Sequence, residues 1–86
     1  MPSAKLQRLS EAEEGERFRI EQLHIEDKTM KRRLLDLGFV PGCEITVLQK
    51  SPLGDPTAYR VSNTTIALRK EESDYIYGER IRDDNK

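Results

Sequence analysis

The sequence predicts a small, mainly β barrel with one short α-helix between its first and second strands. Three observations carry this reading. Apolar residues alternate with a period of two in several separate stretches, helical periodicity occurs once, starting at Asp27, and Gly, Pro and Asn punctuate the intervals. At 86 residues the chain accommodates one domain, near the size at which an apolar core only just outweighs chain entropy.

Residues 16–23, ERFRIEQL, place Phe18 and Ile20 on one face of a half-buried antiparallel strand, entered through a turn at Gly15. From Asp27 the period lengthens. Met30, Leu34 and Leu37 fall at i, i+4 and i+7 while Lys31, Arg32 and Asp36 face elsewhere, which predicts an amphipathic helix capped by Asp27 or Thr29. Gly38 stands where that helix must end, because it adopts a left-handed conformation without a Cβ penalty, and Phe39 should fold back towards Leu34. Val40 is held extended by the following proline, and Pro41-Gly42 suits the centre of a type II turn. Gly38, Pro41 and Gly42 are therefore scaffold residues.

Residues 44–50, EITVLQK, set Ile45 and Val47 against Thr46 and Leu48 on opposite faces of the second strand. Residues 51–56, SPLGDP, form a turn, and residues 57–61 a strand with Tyr59 and Val61 on one face. Residues 62–64 read as a hairpin tip, with Asn63 suited to positive φ, and residues 65–69 as a strand with Ile66 and Leu68 inward. A polar turn at 70–74 leads to a last short strand at Ile76. Five short strands with one helix across an opening fit a small SH3-like barrel; an OB-like barrel is the competing shape, but its strands are usually longer. Residues 1–8 and 80–86 lack periodicity and are read as flexible segments flanking a domain at 9–79.

Lys and Arg number 15 against 16 Asp and Glu, so a net charge of −1 gives no global attraction to nucleic acid or to an acidic membrane. Basic and aromatic residues are not interleaved as a base-stacking surface needs, and nucleic acid is not an expected partner. The apolar runs are too short for a transmembrane helix or a signal peptide, so the chain is expected in the cytoplasm without membrane insertion. With one Cys, one His, no GxSxG and no phosphate-binding glycine loop, neither catalysis nor a bound nucleotide or other cofactor is expected. A structural zinc site takes four protein ligands in clusters, whereas His24 and Cys43 stand apart. Cys43 is expected to pack at the start of its strand and His24 to end the first strand in solvent. Metal shared between self-associated copies is the alternative.

Two features suit partner binding. The helix carries Lys28, Lys31, Arg32 and Arg33, a docking patch or simply a solvated face. The SPLGDP turn needs its Pro and Gly for geometry but does not need Leu53; beside Asp55 this leucine makes an apolar anchor with a polar rim, unless it packs against the barrel end. The expected contact residues are Arg32, Arg33, Leu53 and Asp55, with Tyr59 as a further candidate.

Residues 33–42, RLLDLGFVPG, then 51–56, SPLGDP, then 67–72, ALRKEE, resemble in order and spacing the FeoA family, small cytoplasmic partners of the bacterial ferrous iron transporter FeoB. With the opening LSEAEEGERFRI the resemblance covers residues 9–77. It implies an SH3-like fold, in agreement with the strand pattern. It also implies a non-enzymatic adaptor that binds and regulates FeoB, at its cytoplasmic G domain or its membrane-facing part, and supports Fe(II) uptake. The alternative is a freestanding interaction module of an iron-dependent transcriptional regulator; an enzyme or metal-storage protein is a third class.

Overall fold

Alternation of Phe18 and Ile20 with charged neighbours builds the central strand of the sheet, β2 (Arg17–Leu23), in which both apolar residues are buried. The computed structural model describes residues 6–81. A short strand, β1 (Gln7–Arg8), and a 3-10 turn (Leu9–Glu11) precede β2. After it come α1 (Lys28–Leu37), β3 (Glu44–Lys50), β4 (Thr57–Val61), β5 (Thr64–Leu68), α2 (Lys70–Ser73) and β6 (Ile76–Ile81). All strands join one antiparallel sheet in the order β1-β6-β2-β3-β4-β5, so the last strand returns beside the central one.

The sheet curls around its apolar face. Register shifts at Ile20/Gln22 and at Val47/Gln49 insert an extra residue into β2 and β3, and such bulges bend a strand and raise its twist. Gly78 permits the close approach of β6 to β2, because a Cβ there would stand 2.0 Å from the Arg19 carbonyl oxygen. The enclosed core combines Phe18, Ile20, Ile45, Val47, Tyr59, Val61, Leu68 and Ile76 with Leu9, with Leu34 of α1 and with Phe39.

Asp27, rather than Thr29, caps α1: its Oδ1 accepts from the N–H groups of Thr29 and Met30 at 2.9 and 3.2 Å. The helix ends on the paired bonds of a Schellman motif, Phe39 N–H to Leu34 O and Gly38 N–H to Leu35 O, both 3.0 Å, with Gly38 at φ 109°. Phe39 is buried edge-on against Tyr59, ring centroids 6.3 Å apart. The expected type II turn follows, with Gly42 at φ 92° and Cys43 N–H donating to Val40 O at 3.0 Å.

The sheet extends past the expected limits of 9–79 at both ends. Gln7 and Arg8 pair with Gly78 and Tyr77, making six strands where about five were expected; two residues are too few to display a period. Arg80 and Ile81 continue β6, where Arg80 pairs with Glu16 at 2.9 Å. Residues 1–5 and 82–86, the rest of the expected flexible segments, lie outside the described residues. The hairpin tip is also tighter than expected: Ser62 and Asn63 alone form it, at φ 51° and 67°, and Thr64 already belongs to β5.

Candidate functional site

The four-residue helix α2 is the knot that organises one end of the barrel. Glu72 lies in its third position, from which a glutamate reaches back to the start of its own helix; its Oε1 accepts from Arg69 N–H at 3.0 Å. Its other oxygen pairs with the guanidinium of Arg33 on α1. Glu72 is only 8% exposed, and a carboxylate withdrawn from water is costly unless paired, so Arg33 is its counterion. Asp55 is held in a similar way, its Oδ1 accepting from Lys70 N–H at 2.8 Å. Ser10 of the 3-10 turn donates to Asp74 Oδ1 at 2.5 Å, which, with Lys70, holds the Asp74 carboxyl below the usual carboxylate range. Thus α1, the 51–56 loop and the 3-10 turn are each tied to α2.

The loop is closed by its own backbone. Gly54 N–H donates to Ser51 O at 2.8 Å and Ser51 N–H to Pro56 O at 3.1 Å, with Gly54 at φ 86° and a cis peptide between Asp55 and Pro56. Leu53 is left at the tip, 93% exposed, and does not pack against the barrel end.

Of the expected contact residues, Leu53, Arg32, Arg33 and Asp55 are all exposed. Arg32 lies on the exposed side of α1, its Nε 3.9 Å from Asp36, and exposed Lys28 and Lys31 share the helix. Arg33 and Asp55 also fasten their segments to α2. Tyr59 is corrected outright: at 2% exposure it shares the inner face with Val61, as its place in the alternation requires, and no partner can reach it. Burial pushes its phenol pKa up, against the opposing effect of hydrogen bonds with Ser73 and Thr57.

A second feature of this end escaped the sequence reading. A groove of about 380 Å³ is lined by His24, Ile25, Glu26, Asp27, Met30 and Tyr75. His24 follows β2, its N–H donating to Tyr75 O at 2.8 Å, its Nε2 2.5 Å from Gln22 Oε1 and its ring 4.8 Å from that of Tyr77. Tyr75 is 48% exposed. It sits between α2 and β6, outside any period, so only an isolated aromatic after an acidic turn marked it. Cys43 is partly buried against the core, its Sγ 3.6 Å from Glu44 O. Among the described residues no group of three or more His, Cys, Asp and Glu gathers as a metal site, and no helix is long and apolar enough to cross a membrane.

Comparison with known proteins places this arrangement. The FeoA domain profile matches residues 7–80. An Fe(2+) transport protein A/Fe(2+) transporter FeoB fusion protein of Porphyromonas gingivalis is 39% identical over 74 residues, covering 74% of this chain and 9% of the fusion protein, so the chain spans a small part of that relative's length. A FeoA-like protein of Clostridium acetobutylicum, solved by NMR, is 31% identical with a TM-score of 0.85, covering 98% of this chain and 96% of that one. The zinc-complexed FeoA of Stenotrophomonas maltophilia, a prokaryotic SH3 domain protein, is 30% identical with a TM-score of 0.75, covering 85% of this chain and 89% of that one. Its curled antiparallel sheet is thus SH3-like, and the chain belongs to the FeoA domain family, which is linked to ferrous iron transport.

Proposed function

We propose that the chain is a non-enzymatic adaptor that docks on a FeoB-type transporter at the cytoplasmic face of the membrane and regulates Fe(II) uptake. The observation that carries this reading is the Porphyromonas gingivalis fusion, in which transport protein A and FeoB share one polypeptide. Covalent linkage replaces a docking equilibrium with a high effective concentration, which is useful only if the two parts meet.

The site geometry supports docking through Leu53, with Arg32 at the basic face of α1. An exposed apolar side chain on a loop already fixed by two backbone bonds and by Asp55 loses little further freedom on binding. Titration of the cytoplasmic part of FeoB with the chain tests the reading. The wild type should bind saturably, and Leu53→Arg should weaken binding by at least about tenfold, as for a hot-spot anchor, with circular dichroism and Tm unchanged. Unchanged affinity removes Leu53 from the site. No binding by the wild type, with co-purification of a DNA-binding protein instead, would favour a regulator's interaction module.

A further inference from the structure

The groove beside α1 plays no part in the Leu53 contact, and its lining has a consistent chemistry. Ile25 and Met30, both packed against the core, supply an apolar floor. Tyr75 and the His24 ring supply an aromatic wall, and Glu26 and Asp27 form a carboxylate rim that includes no cation. One oxygen of Asp27 is committed to capping α1, whereas Glu26 has no ion-pair partner among the described residues. Of the α1 cations, Arg33 pairs with Glu72 and Arg32 with Asp36, Lys28 lines a separate hollow with Thr29 and Arg32, and neither these nor Lys31 line the groove.

An apolar floor, an aromatic wall and a carboxylate rim together match a cation carried on an aliphatic stem. Such a stem would lie on Ile25 and Met30 while its charged head met Tyr75 and paired with Glu26. The volume, about 380 Å³, is at the lower end for ligand pockets and suits a side chain more than a folded surface. Resting on the adaptor reading above, we infer that this groove receives an arginine or lysine, flanked by an apolar residue, from a juxtamembrane segment on the cytoplasmic side of the transporter. Membrane proteins concentrate Lys and Arg beside apolar helix ends at that face, so the partner presents the chemistry the groove selects. The contact is distinct from the loop's: Leu53 offers an apolar tip, and the groove accepts a basic side chain.

Amide shifts of the nitrogen-15-labelled full chain, titrated with acetyl-leucyl-arginine amide and separately with the neutral acetyl-leucyl-citrulline amide, read the groove directly. Saturable shifts centred on His24, Glu26, Met30 and Tyr75 are expected with the arginine probe. Binding should weaken by at least about fivefold with citrulline or in Glu26→Gln, and Leu53→Arg should leave it intact. Tyr75→Ala, with its fold verified by the dispersion of the same spectrum, should abolish it. Equal binding of both probes, shifts centred elsewhere, or no shifts overturn the inference. In the FeoB titration, full affinity of Glu26→Gln would overturn the groove's role while the adaptor reading stands. Failure of the wild type to bind FeoB would overturn the adaptor reading, and the juxtamembrane assignment with it, even if the arginine probe binds.

Discussion

Residues 38–43 and 51–56 are both short connections rich in Gly and Pro, yet they dispose of their apolar residue in opposite ways. In the first, Phe39 is fully buried and the chain is bonded back to β2, with Gly42 N–H donating to Ile20 O at 2.6 Å and Ile20 N–H to Cys43 O at 2.9 Å. In the second, the backbone closes on itself and Leu53 points into solvent. The same residue types therefore seal the core in one place and present a side chain in the other. What separates them is whether the turn's backbone bonds run to the central strand or only within the loop, because a turn bonded to the sheet must cover it.

Substitutions should divide along this line. The largest effect is expected for Phe39→Ala, a loss of about 3–5 kcal/mol for truncating a buried aromatic, seen as a collapsed or non-cooperative thermal transition; a loss as small as that of Leu53→Ala would erase the contrast. Gly38→Val comes next. A β-branched residue at φ 109° is strained, and its Cβ would lie 2.9 Å from Val61 Cγ1, so about 1–3 kcal/mol should be lost, lowering Tm by on the order of 10 °C. An undiminished Tm would refute the glycine's role at the helix end.

Arg33→Ala should cost about 1–2 kcal/mol, less than for a fully buried pair, because Arg33 is half-exposed and Glu72 keeps the Arg69 N–H. Urea denaturation would measure it, and no change would mean that Glu72 is satisfied without α1. The smallest stability effect concerns pH. The Asp74 carboxyl is depressed in the folded state, first by Ser10, so its contribution is present above the ordinary carboxylate pKa and is lost as pH falls through the lower folded value. Ser10→Ala should lower Tm slightly at neutral pH, and the gap should close in acid; a gap that persists at low pH would mean that Ser10 acts through packing alone. For Leu53→Arg no stability change is expected, only the loss of partner binding, which is the sharpest form of the comparison.

Much of this could be read from the chain. Phe18 and Ile20, Ile45 and Val47, and Tyr59 and Val61 fall on the inner face as their alternation requires, and Gly38 ends α1 in the left-handed conformation expected of it. The candidate site was less legible. Arg33, read as part of a basic patch, and Asp55, read as a polar rim, have a second role at α2 that the sequence did not show; Tyr59 carried its burial in its own alternation with Val61 and still entered the expected contact set. The Tyr75 groove left no periodic trace, since its lining comes from the end of β2, the start of α1 and the residue before β6.

The sequence by itself determined the order of elements, the inward face of each long strand and the two turn-rich connections, because these follow from sterics and hydrogen bonds among residues a few positions apart. Only the tertiary structure decided which charges are free and which are committed. Arg33 meets Glu72 across 39 positions and Asp55 meets Lys70 across 15, so each pairing depends on where the curled sheet returns the chain. A charged side chain's role is settled by the partner and the burial it finds there, and neither is encoded in its immediate neighbours.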